Sequence, residues 1–183
     1  AVYRIPGEKI PCLVTQEEGA VRLIYDLQEL NGQRGFMIAP FRPNETCPIL
    51  LIQSNGPGQP LLLADDADAV PRDIPSTDYP SCSEEYAECF RTFISALRDK
   101  TFEKLVLSRK LTIGKPSAFS PSLAFRAACQ RYIHSYIYLC YTPQTGIWLG
   151  STPEIILSGE KDDWHTVALA GTQPLQDGKL PQV

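Results

Sequence analysis

The sequence predicts an α+β fold, an antiparallel sheet with packed helices, on three observations. Short apolar runs broken by Gly, Pro and Asn fill the first third. One later segment repeats apolar residues at three- and four-residue spacing, a second opens on a helix-start signal, and apolar runs joined by tight turns close the chain.

Residues 9–15, 20–25, 35–39 and 49–53 are the runs of a meander, making 1–55 a β-rich N-terminal portion. From 56 to 82 the composition changes. Pro57, Pro60, Pro71, Pro75 and Pro80 interrupt helix and sheet alike, and Asp65, Asp66, Asp68, Asp73 and Asp78 keep the stretch wet, so it reads as a surface connection. Ser83 is a helix N-cap followed by Glu84 and Glu85, which the helix dipole favours. Tyr86, Phe90, Phe93, Ile94 and Leu97 then form one stripe, expected to pack on a sheet. Residues 101–113 alternate as a strand, with Leu105, Leu107, Leu111 and Ile113 on one face and Lys104, Val106, Ser108, Lys110 and Thr112 on the other. Pro121 suits the first helical position after Ser120, predicting a helix to about Arg131. Strands are expected at 135–142 and 147–149 around the turn Pro143-Gln144-Thr145-Gly146, then at 154–157 and 165–170 around the polar turn 159–163. Residues 83–183 thus form a second portion.

A chain of 183 residues, 43% hydrophobic and 21% charged, can bury a core and fits a soluble globular class. A formal charge of −4 and a pI near 5.2 argue against a nucleic-acid partner, which needs a basic surface. No apolar run approaches the ~20 residues of a membrane span, so a cytoplasmic location is expected. Cysteines 12, 47, 82, 89, 129 and 140 form no C-x-x-C and do not cluster with His134 or His165, which predicts reduced core thiols and no zinc. The chain starts at Ala1, its one methionine is Met37, and it stops at Val183 in a loop-like tail. These features suggest a fragment.

Lys104 and Glu154 are charges set in apolar, strand-forming surroundings, where a charge is expensive without a partner or a task. Taken singly each has an ordinary explanation. A lysine in an alternating strand faces solvent, a glutamate after proline marks a strand edge, and Ala170-Gly171-Thr172 is a turn. His134 and His165 read as surface residues. Arg109, on the leucine face, would need a partner.

Taken together and in order, three segments strongly resemble the chorismate-utilising enzymes, specifically isochorismate synthase. They are 102–109 around Lys104, Trp148-Leu149-Gly150-Ser151-Thr152-Pro153-Glu154, and Ala168-Leu169-Ala170-Gly171-Thr172. The likeness runs from about Ser83 to Thr172 and is weaker at Tyr3-Arg4-Ile5-Pro6-Gly7 and at 35–41. It implies that Lys104 is the base activating water, that Glu154, fifty residues on, is the acid, and that Gly171, seventeen further, lies against the substrate with Thr172 beside it. Ammonia-using anthranilate synthases carry glutamine where this chain has Lys104, and aminodeoxychorismate synthases carry lysine where it has Ala170. Both residues therefore point to the water-using branch, which still includes salicylate synthases.

The resemblance implies a chorismate substrate and a Mg²⁺ cofactor. Its glutamate ligands, and the groups gripping the substrate carboxylates, belong in this family to the half following the present segment. Residues 83–183 would then be the first half of the chorismate-binding domain, and the fragment alone is expected to be inactive. Acid and base roles on one ring both call for a dry cavity that Lys104 and Glu154 share. A non-catalytic binding module is the rival reading. The product's destination, menaquinone or siderophore synthesis, and the oligomeric state stay open.

Overall fold

The tightest signal in the sequence, Pro143-Gln144-Thr145-Gly146 between two apolar runs, becomes the longest ladder among the described residues. The computed structural model describes residues 1–54, 56–62, 84–167 and 169. Here β7 (Tyr136–Thr142) and β8 (Gly146–Thr152) pair antiparallel from Thr142↔Gly146 to Tyr136↔Thr152. Gly146 takes φ 73°, a left-handed conformation that glycine adopts without strain. The buried Thr142 Oγ1 accepts the Thr145 N–H at 3.1 Å. That closes the turn from inside.

The chain divides into two compact units, Ala1–Val70 with Ser120–Val183, and Pro71–Phe119. In the first, strands β1 (Val2–Arg4), β2 (Cys12–Leu13) and β6 (Gln59–Pro60) join the hairpin in a sheet of order β6-β2-β1-β7-β8. A second sheet has β5 (Ile49–Gln53) between β3 (Arg22–Ile24) and β4 (Gly35–Ile38). All of these pairings are antiparallel. The run Ile49-Leu50-Leu51-Ile52 is buried throughout. Ile49 and Leu51 pack with Ile24, while Ile52 packs with Val14, Phe36 and Cys140 and so ties the two sheets into one core. Removing each such aliphatic side chain from water contributes about 1.5–3 kcal/mol. Helix α2 (Pro121–Arg131) is capped by Ser120, whose Oγ accepts the Leu123 N–H at 3.3 Å, and it packs on β7 and β8 with Phe125 fully buried.

The strand expected at 9–15 contracts to β2, and β1 forms where none was anticipated, because Tyr3 and Arg4 find register partners in β7 at Tyr138 and Ile137. A 3₁₀ turn at Leu27–Leu30 begins with a capping box in which Asp26 Oδ1 accepts the Gln28 N–H and Glu29 Oε1 accepts the Asp26 N–H. No strand forms at 154–157, and of the strand expected at 165–170 residues 168 and 170 lie outside the described residues. Instead β9 (Ser158–Glu160) and β10 (Asp163–His165) pair around Lys161, at φ 58°. Gly159 permits this, since a Cβ there would stand 2.2 Å from the Asp163 carbonyl oxygen. Cys140 is buried, but Cys47 and Cys89 are exposed, so the expectation of core thiols fails for those two.

In the second unit, α1 (Glu84–Arg98) carries the anticipated stripe. None of its residues is buried, however, and Phe90 is exposed. The helix ends as Lys100 turns left-handed at φ 57° and the Thr101 N–H reaches back to the Ala96 carbonyl at 3.0 Å. Ser83 lies outside the described residues. The strand predicted at 101–113 is not formed. Alternation makes a segment fit for a sheet, but a strand exists only when a neighbour takes its N–H and C=O groups. Residues 101–113 pair with no described strand.

Candidate functional site

β8 delivers the acid candidate. Its Gly150 lies opposite Tyr138 in the ladder, and a Cβ at position 150 would stand 2.3 Å from the Tyr138 ring. The glycine of the Gly150-Ser151-Thr152-Pro153-Glu154 motif is thus required by the aromatic ring laid across it. At Pro153 the ladder stops, because proline has no N–H to give. The Glu154 N–H then turns back to Thr152 Oγ1 at 3.1 Å. Beyond it, Ile155 and Ile156 are held from the side. The Val167 N–H donates to the Ile155 carbonyl at 2.8 Å, and Thr166 Oγ1 to the Ile156 carbonyl at 2.7 Å. The Glu154 side chain stands in solvent.

Thr152 also lines a groove of about 490 Å³ whose walls include Tyr3, Phe36, Met37, Tyr136 and Tyr138. Tyr3 stacks on Tyr136 with centroids 5.6 Å apart, and Phe36 tilts against Tyr138 at 5.9 Å. Burial pushes the phenols of Tyr3, Tyr136 and Tyr138 above their ordinary range, most strongly at Tyr136, where neighbouring Tyr3 and Cys12 add to the effect. Among the described residues no charged side chain lines the groove, so its polar side-chain groups are the hydroxyls of the three tyrosines and Thr152.

Among the described residues of this unit one charge is deeply buried, Arg4, 3% exposed. Its guanidinium donates to five backbone carbonyls, those of Ile5, Glu8, Tyr132, Ile133 and Ser135. Among the described residues no carboxylate pairs with it. The carbonyls gathered at the C-terminal end of α2 supply the negative potential instead. Cys129 lies alongside. Burial raises its thiol pKa, while Arg4 pulls the other way. Sequence reasoning missed Arg4 because it read as one more residue of a weak motif. The available signal was an arginine placed within Val2-Tyr3-Arg4-Ile5, just before Pro6-Gly7.

Of the four predicted site residues, two are described. Lys104 lies in the irregular segment after α1, in the second unit, and is exposed. Glu154 belongs to the first unit and is exposed too, so the dry surroundings expected for both are not seen around either. Gly171 and Thr172, with Ala170, lie outside the described residues. Arg109 is exposed rather than set on a packed leucine face. His134 is exposed, and the likewise exposed His165 faces Asp163, Nε2 to Oδ1 3.2 Å.

Among the described residues no three His, Cys, Asp or Glu side chains converge on a point. These residues therefore do not form the carboxylate cage that Mg²⁺ needs. No helix among them is long and apolar enough to cross a membrane.

Residues 64–180 match the family model described as chorismate binding enzyme. That span is more than half the chain and includes Lys104, Glu154, Gly171 and Thr172. No curated protein and no solved structure matches the chain.

Proposed function

The chain belongs to the chorismate-binding enzymes, and on that premise we propose that it serves as an isochorismate synthase, converting chorismate to isochorismate with water as nucleophile. The observation that carries this reading is the residue choice at two positions inside the matched span: Lys104 where ammonia-using relatives have glutamine, and Ala170 where aminodeoxychorismate synthases have lysine.

In the proposed reaction water bonds to C2 of the ring, the two ring double bonds shift, and the C4–O bond breaks. Lys104 takes the proton that the attacking water loses. Glu154 gives a proton to the departing C4 hydroxyl, which leaves as water. Hydroxide alone is a poor leaving group, so each proton transfer is worth ~10²–10⁴-fold. Gly171 lets backbone approach the substrate, and Thr172 donates a hydroxyl hydrogen bond to a carboxylate. Glu154 is exposed at the end of β8, so in this reading the dry setting of the acid has to come with the bound substrate. Mg²⁺ belongs to this reading through the family, with ligands other than the described residues.

The test is product analysis with the intact protein, chorismate and millimolar Mg²⁺. Lys104→Gln and Glu154→Gln are each expected to lower isochorismate formation by ~10²-fold or more, with folding nearly unchanged. A variant that keeps near-normal turnover removes the role assigned to that residue. Salicylate and pyruvate in place of isochorismate identify a salicylate synthase instead.

A further inference from the structure

We infer that Arg4 is a positioning residue for the Glu154 segment, holding the open end of the β7–β8 hairpin; its catalytic consequence rests on the reading of Glu154 as the acid. The hairpin is locked at one end by its turn, where Thr142 Oγ1 takes the Thr145 N–H. Fraying grows with distance from that lock, and the last pair is Tyr136↔Thr152. On the other side of β7 the ladder with β1 ends at Arg4↔Ile137, one residue short of Tyr136.

From that point the Arg4 side chain takes over from the main chain. It bonds the carbonyls of Ile133 at 2.9 Å and Ser135 at 3.0 Å, together with that of Tyr132, which fixes the approach of the chain into β7. The same guanidinium holds the carbonyls of Ile5 and Glu8, and the Gly7 N–H donates to the Ile133 carbonyl at 2.9 Å. One planar group thus ties residues 5–8 to 132–135. Thr152 stands across from the strand start fixed in this way, and its hydroxyl anchors the Glu154 N–H. Buried among carbonyls, Arg4 cannot touch a substrate, so it acts through Tyr136 and Thr152. A lysine carries the charge but presents its donors from one point and cannot span this set of acceptors.

The experiment is amide hydrogen exchange on Arg4→Met and Arg4→Lys. It compares two bonds of the same kind at opposite ends of the hairpin, the Glu154 N–H to Thr152 Oγ1 and the Thr145 N–H to Thr142 Oγ1. Exchange at Glu154 is expected to rise by ~10-fold or more, with Thr145 within about twofold of the parent. Equal acceleration at both ends, or no change at Glu154, overturns the assignment. If Arg4→Met does not fold, Arg4→Lys decides. In the intact protein the same variant is expected to lower kcat for chorismate by ~10-fold with KM within about twofold. An unchanged kcat despite loosened Glu154 exchange overturns the catalytic consequence. Full activity of Glu154→Gln would instead defeat the acid role and leave the exchange result to stand by itself.

Discussion

Gly150→Ala measures how much of the Gly150-Ser151-Thr152-Pro153-Glu154 geometry is dictated by packing. The new Cβ would sit 2.3 Å from both Cε1 and Cζ of Tyr138 and 2.5 Å from its hydroxyl. Ordinary carbon contacts are ~3.5–4.0 Å, so the ring has to move by more than 1 Å or so. Its freedom is small, because Phe36 and Tyr136 bracket it at 5.9 and 6.3 Å between centroids. Overpacking of this kind costs about 1–3 kcal/mol, and a spoiled aromatic pair adds about 0.5–1.5. Alanine recovers about 0.5–1 kcal/mol over glycine within a strand, so the net loss is about 1–3 kcal/mol. In a Tyr138→Ala background the obstacle is gone, and Gly150→Ala becomes neutral or stabilising by up to about 1 kcal/mol. Urea unfolding followed by tryptophan fluorescence reads both backgrounds. Trp148 and Trp164 are the only two tryptophans, and both lie in the unit that contains Gly150. Equal cost in the two backgrounds would refute the steric account.

The buried phenols make alkaline stability a second test. Their folded-state pKa values lie above the ordinary 10.0, so the stability they contribute is full below pH 10 and is lost as pH climbs through the raised values. Tm is expected to fall more steeply above pH 10 in the parent than in Tyr136→Phe; matching slopes would remove Tyr136 as the cause. Thiol labelling is a third. Exposed Cys47 and Cys89 should react first and buried Cys140 only on unfolding, with Cys129 slowed by its raised pKa. Peptide mapping that finds Cys140 labelled in the folded protein contradicts the packing described.

The sequence made the turn-closed hairpin and both helices legible, because each has a purely local cause: Gly146 at positive φ, Ser120 before Pro121, and the stripe from Tyr86 to Leu97. The runs at 35–39 and 49–53 were legible for the same reason. What stayed hidden depends on partners far along the chain. β1 is three residues long and exists through Val2, Tyr3 and Arg4 pairing with Leu139, Tyr138 and Ile137. The opposite error occurred at 101–113, where an alternating pattern met no ladder among the described residues. At the site, the spacing of Lys104, Glu154 and Gly171 pointed to the family that the matched span supports. The reason for Gly150 was invisible, since it is the ring of a residue twelve positions earlier.

The same physical argument that singled out Lys104 and Glu154 should have singled out Arg4. A charge in an apolar run is expensive, and the cost is met in one of two ways. Arg4 meets it inside the fold, with five carbonyls arranged before any ligand arrives, and so it is unavailable to chemistry. Lys104 and Glu154 are exposed, so neither bears the cost of burial in this structure. Exposure gives a substrate access to both groups, but it is not the dry setting that acid and base roles on one ring call for. Under the proposed reaction, water must then be removed from both groups when chorismate binds, and the ring itself becomes part of the dry wall. Binding and proton transfer would be coupled at Glu154, so a substrate analogue that fills the ring site should slow exchange of the Glu154 N–H as Arg4→Met speeds it. An analogue that binds at Lys104 yet leaves the Glu154 amide untouched would separate the two residues into different sites.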